Sequence, residues 1–172
     1  MDYFDLFGLE EQFDIDISKL TKKYYALSRT EHPDLQSSSS SDQVDDAIEK
    51  TETLNVAYEV LKDKKKRIEY ILQIHGLMQG DQSIDPEFLM EMMEINEQLM
   101  ELELEPDENN LKTIWVAWED KASEIELDGL TWMKKYDNGE KTEEVLLQVK
   151  DYFLKSKYLL RIKEKLSTFA SA

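Results

Sequence analysis

The sequence predicts an all-α protein of two helical units: an antiparallel helical hairpin with short flanking helices, then a three-helix bundle. Three observations carry this. Gly (5) and Pro (3) are scarce in 172 residues, while Glu, Lys, Leu and Met are plentiful, a composition that favours helix. Apolar residues recur at spacings of three and four along most of the chain, and no alternating strand pattern appears. The stretch from Leu77 to Asp85 has no period, holding Gly80 and polar residues. It divides the chain into 1–76, a linker over 77–84, and 85–172.

In chain order, Tyr3 to Leu9 reads as a core-packing segment in which Gly8 ends one helical turn. Asp16 caps a helix from Ile17 to Thr30, with Ile17, Leu20, Tyr24 and Leu27 on one stripe. Pro33 stops it, because the residue before a proline, His32, is pushed out of the helical region. Leu35 to Ser41 is a polar loop, and Ser40 with Gln43 forms a capping box for a third helix reaching about Asp63. On that helix Val44, Ile48, Thr51, Asn55 and Tyr58 recur in phase, with Leu54, Ala57 and Leu61 beside them. The basic run Lys62 to Arg67 leads to a short helix from Ile68 to His75, stopped by Gly76. Asp85 and Pro86 open a helix that ends before Pro106. A second helix of the bundle spans about Glu108 to Leu127. A shorter segment over 130–136 leads to the turn Asp137-Asn138-Gly139, and a last helix runs from about Thr142 to Phe169.

Charge then points to partners. The chain has 21 Lys and Arg against 38 Asp and Glu, a formal charge of −17. Yet Ile17 to Thr30 carries Lys19, Lys22, Lys23 and Arg29 with no carboxylate. Lys22, Tyr25 and Arg29 face away from the apolar stripe, so an acidic partner is expected there. The overall acidity argues against nonspecific binding to nucleic acid or an anionic membrane, since phosphate contacts need cationic surface. The start Met1-Asp-Tyr-Phe-Asp5 lacks the character of a signal or transit peptide, and no run approaches a membrane span, so a soluble, cytoplasmic protein is expected.

Catalysis and metal binding are not expected. The absence of cysteine removes disulfides, thiolate ligands and a thiol nucleophile. Two histidines, His32 and His75, do not make a metal site. His32 beside Asp34 resembles part of a triad, but no nucleophile is placed with them. No cofactor is called for. Trp115, Trp118 and Trp132 read as core.

The first bundle helix shows two arcs. Phe88, Met92, Ile95, Leu99 and Leu102 fall on one and read as core. Leu89, Met90 and Met93 fall on the other, among Glu94, Glu97 and Glu101. A methionine-rich apolar patch laced with carboxylates suits an adaptable protein-binding surface.

The ordered set of a basic helix, His32-Pro33-Asp34, a loop, Asn55-Val-Ala-Tyr58, Leu61-Lys-Asp63 and Arg67-Ile-Glu-Tyr70 resembles the J-domain. The opening Met1-Asp-Tyr-Phe-Asp-Leu-Phe-Gly-Leu9, and Tyr70-Ile-Leu-Gln-Ile-His-Gly76 before a second bundle, narrow the resemblance to the HscB type. These are J-protein co-chaperones of iron–sulfur cluster assembly. The resemblance implies docking on a DnaK-class chaperone, HscA, and acceleration of its ATP hydrolysis. His32, Pro33 and Asp34 would act as the trigger, with Lys22, Lys23, Tyr25 and Arg29 as the docking face. It also implies that the second unit binds the iron–sulfur scaffold protein IscU through Leu89, Met90, Met93, Glu94, Glu97 and Glu101. An aromatic of the last helix joins that patch in relatives; Tyr158 fits best, with Phe153 as the second choice. Leu35, where J-domains often have lysine, and Glu31 depart from the pattern and lower the local positive charge. Two other readings remain open: a J-protein of the general DnaK system with a different client, and an acidic helical adaptor with a chance His-Pro-Asp.

Overall fold

The computed structural model describes residues 2–30, 41–80 and 82–170. The expectations for Glu31, His32, Pro33, Asp34, Leu35 and the Ser40 cap lie outside these residues. Every element among those described is a helix, and the chain divides into two compact units, Met1–His75 and Gly76–Ala172.

The first unit holds α1 (Tyr3–Leu6), α2 (Ile17–Thr30), α3 (Ser41–Lys62) and α4 (Lys64–Ile74). The α2–α3 pair is its centre, with α1 and α4 packed against α3. Its core is Phe4, Phe7, Phe13, Leu20, Leu54, Ala57, Leu61, Ile68, Ile71 and Leu72. Burying each Phe, Leu or Ile of this set contributes about 1.5–3 kcal/mol. Gly8 ends the first helical segment at φ +54, a conformation that disfavours a side chain.

Three local expectations are corrected. The buried stripe of α3 is Ala47, Leu54, Ala57 and Leu61, while Ile48 is 44% exposed. Of the in-phase set read from the sequence, Asn55 and Tyr58 meet α2, where Tyr58 stacks on Tyr24 at 4.2 Å and Asn55 Oδ1 accepts from the Tyr24 hydroxyl. Ile17 of the α2 stripe is also exposed, leaving Leu20 as its buried anchor. The basic run is not a connector. Asp63 alone separates α3 from α4 and caps the latter, its carboxylate accepting from Lys66 N at 2.9 Å. Arg67 turns inward, 4% exposed, donating through Nε to Phe13 O at 2.9 Å and through a guanidinium nitrogen to Leu61 O. These carbonyls keep a buried guanidinium hydrogen-bonded.

The second unit holds α5 (Pro86–Glu91), α6 (Met93–Leu104), α7 (Glu108–Asp137) and α8 (Glu143–Ala170). The first arm of the bundle is two consecutive helices, not one. Asp85 caps α5, accepting from Glu87 N at 3.2 Å, and Met92 stands between α5 and α6. Asp107 caps α7, accepting from Asn109 N and Asn110 N. The Thr142 hydroxyl oxygen accepts from Val145 N at the start of α8. The α7 helix runs unbroken for 30 residues through Gly129, where the sequence suggested a break. Gly129 is buried, and the Tyr152 ring of α8 lies so close that a methyl group there would collide with it. The missing side chain serves packing between α7 and α8, which form the unit's most extensive helix pair. All three tryptophans are half-buried, and the Trp118 indole donates to Leu159 O at 2.9 Å.

Candidate functional site

Each unit presents one candidate surface. On the first, Lys22, Tyr25 and Arg29 are all exposed on α2, with Tyr25 59% exposed. The scaffold behind Tyr25 is aromatic. Tyr24 stacks on Tyr58, donates its hydroxyl proton to Asn55 Oδ1 at 2.8 Å, and meets the Tyr25 ring edge-on at 5.5 Å. Tyr25 thus rests edge-on against a stacked pair while most of its surface stays exposed. At the start of α2, Asp16 accepts from Ser18 Oγ at 2.8 Å and from Lys19 N at 3.1 Å. The Ser18 hydroxyl first, and then the Lys19 amide, lower its carboxyl pKa below the ordinary aspartate value.

Lys23 behaves differently from the other three predicted docking residues. It is half-buried, and its ammonium donates to Phe7 O at 2.6 Å and Gly8 O at 2.5 Å. Those carbonyls close the segment containing α1, so Lys23 tethers the N-terminus to α2. Its position on the helix wheel, between the apolar stripe and the outward face, was the signal for this.

The second surface lies on α5 and α6. Phe88, Met92, Ile95, Leu99 and Leu102 are buried, none above 7% exposed. Leu89, Met90 and Met93 are 38%, 70% and 55% exposed, and Glu94, Glu97 and Glu101 are exposed with them. The two arcs of the helix wheel are therefore the inner and outer faces of this arm. Tyr158 lies beside it, its ring edge-on to Phe88 at 5.7 Å and its hydroxyl accepting from Asn96 Nδ2 at 2.7 Å. Phe153 is 3% exposed and belongs to the core. Of the two aromatics, Tyr158 is the half-buried one, held by Phe88 and Asn96 of the arm. Met100 and Leu104, 66% and 83% exposed on the same helix, were assigned to neither arc of the wheel.

Among the described residues no group of His, Asp and Glu is arranged to hold a metal ion, and no helix is long and apolar enough to cross a membrane.

A basic helix on one helical unit and an apolar, acidic helix face on the other are the two candidate surfaces. Residues 2–70 match the DnaJ domain, and residues 84–167 match the HSCB C-terminal oligomerisation domain. The class is thus a J-domain co-chaperone. The Vibrio cholerae co-chaperone HscB homolog is 32% identical over 168 residues, covering 96% of this chain and 94% of that protein. The Proteus mirabilis co-chaperone HscB is 34% identical over 148 residues, 80% and 86% of the two chains. The structure of HscB from Vibrio cholerae superposes with a TM-score of 0.74 at 27% identity, covering 99% of this chain and 98% of that one. Human co-chaperone HscB superposes at 0.70 and 28% identity, covering 98% and 81%. The chain belongs to the HscB family of J-domain co-chaperones.

Proposed function

We propose that this chain binds the scaffold protein IscU and delivers it to the DnaK-class chaperone HscA, stimulating ATP hydrolysis during iron–sulfur cluster assembly and transfer in the cytoplasm. The bundle, from residue 85 onward, holds the client on Leu89, Met90, Met93, Glu94, Glu97 and Glu101, with Tyr158 at the edge. The unit over 1–76 docks on the chaperone through Lys22, Tyr25 and Arg29, and His32-Pro33-Asp34 provides the trigger. Lys23 supports that face by anchoring α1.

The observation that carries this reading is the division of α5 and α6 into a buried and an exposed apolar face. A helix already anchored by Phe88, Met92, Ile95, Leu99 and Leu102 does not need Leu89, Met90 and Met93 for its own packing. Exposed methionines adapt to a partner's contours, and the surrounding glutamates favour a cationic one. The cations of α2 steer a partner of opposite sign at range.

The test is the ATP turnover of HscA. It should rise more with this protein and IscU together than with either alone, and His32→Gln should abolish the effect. No stimulation by the wild type, or full stimulation by His32→Gln, contradicts the proposal. Stimulation of general DnaK without dependence on IscU assigns the client differently.

A further inference from the structure

Along α6, Met93, Glu97, Met100 and Leu104 recur at steps of four, three and four. At about 100° per residue they share one narrow stripe, and at about 1.5 Å rise it extends about 16 Å. Ile95, Leu99 and Leu102 occupy the opposite side and are buried, so the stripe faces solvent. Its exposure increases along the helix, from 55% at Met93 to 66% at Met100 and 83% at Leu104. It ends at an open groove between α6 and α7 lined by Glu101, Leu104, Pro106 and Asn110.

The charge around the stripe has one sign. Between Pro86 and Asn110 the sequence has nine carboxylates and no Lys or Arg. Glu94, Glu97, Glu101, Glu103 and Glu105 make no ion pair among the described residues. Lys121 and Lys155 pair elsewhere, Lys121 with Glu91 and Glu124, Lys155 with Asp85 and Asp151. Three large apolar side chains in line, flanked by unpaired carboxylates, fit a cationic segment with apolar side chains of its own. A second α6 stripe would not fit, because it would bring glutamates against glutamates.

We infer that Met100 and Leu104 continue the client surface beyond Met93 and hold a basic, apolar-bearing segment of the client. This rests on the reading of α5 and α6 as the client-binding face. The occupant's apolar groups cover Met100 and Leu104, while its Lys or Arg side chains reach Glu101, Glu103 and Glu105. Salt should therefore weaken this half of the contact more than it weakens the contact at Leu89 and Met90.

The experiment titrates IscU into the full chain, as wild type, as Met93→Ala and as Met100→Ser with Leu104→Ser, at low and high salt. Because both serines replace exposed side chains, thermal unfolding should match the wild type. The expected result is about tenfold weaker binding by the double variant, with a shallower salt dependence than the wild type. Wild-type affinity in the double variant, with Met93→Ala impaired, overturns the inference and leaves the client reading standing. No binding of IscU by the wild type removes the client reading and the inference with it. A double variant that binds IscU normally but loses self-association in sedimentation also overturns it, making a second copy the occupant.

Discussion

The Asn96 side-chain amide donates to the Tyr158 hydroxyl at 2.7 Å and to the Met92 carbonyl at 2.9 Å. One residue thus stitches the junction of α5 and α6 to α8, beside Met93 of the exposed patch. The tyrosine ring is held separately, edge-on against Phe88. Hydroxyl and ring thus make separate contacts, the first to Asn96 and the second to Phe88.

Substitutions separate the two. Tyr158→Phe should cost about 1 kcal/mol of stability, the ordinary net value of one hydrogen bond. It should leave IscU affinity within about twofold, because the ring remains, whereas Tyr158→Ala should weaken binding about tenfold. Calorimetric titration with thermal denaturation measures both. If Tyr158→Phe binds as poorly as Tyr158→Ala, the hydroxyl serves the client and not Asn96.

Gly129 gives a prediction whose sign is informative. Replacing a glycine by alanine in an exposed helix stabilises by about 1 kcal/mol. Here the added methyl meets the Tyr152 ring, so Gly129→Ala should destabilise by about 2 kcal/mol or more, read by chemical denaturation. Pairing it with Tyr152→Leu should recover part of that loss. A stabilised Gly129→Ala would mean that α7 and α8 are further apart.

Tyr152 also predicts a pH response. Burial first, and then its hydrogen bond to Glu126 at 2.6 Å, push its phenol above the ordinary tyrosine value of 10.0. A raised folded pKa means that the protonated form is favoured in the folded state. That contribution is complete below pH 10.0 and is lost as pH rises through the folded value. Denaturation of Tyr152→Phe against wild type over this alkaline range should show a smaller loss of stability in the variant. Parallel curves would contradict the assignment.

The α2 lysines should divide by role. Lys22→Ala with Arg29→Ala should lower the apparent affinity for HscA in the ATPase assay several-fold, with no change in thermal stability, because both side chains are exposed. Lys23→Ala should lower stability by about 1–3 kcal/mol, since it leaves the Phe7 and Gly8 carbonyls without their charged donor. Equal stability of Lys23→Ala and the double variant would remove the tether.

Where helix faces decide, the sequence was a good guide. The wheel of the first bundle arm separates Phe88, Met92, Ile95, Leu99 and Leu102 from Leu89, Met90 and Met93, and burial follows that division. Caps written in local chemistry, such as Asp16, Asp85 and Gly8, were legible for the same reason. What was missed depends on distant partners. Gly129 looks like a break until the Tyr152 ring, 23 positions along, is packed on it. Arg67 looks like part of a solvated basic run until the Phe13 and Leu61 carbonyls converge on it. Lys23 looks like a docking cation until α1 folds beneath it. The interruption at Met92 has no counterpart in the sequence, where all neighbouring residues favour helix. The Met92 carbonyl there accepts from both the Asn96 backbone N and its side-chain amide.

The central claim is that one chain must hold client and chaperone together, and complementation in trans tests it most directly. HscA turnover would be measured with IscU and an equimolar mixture of two full-length variants. One carries Lys22→Ala and Arg29→Ala, the other Met93→Ala and Glu97→Ala. If the two surfaces work only within one chain, the mixture should stimulate no more than the two variants' separate effects added together. Recovery of the wild-type rate by the mixture would contradict the account, because the surfaces would then act without being joined.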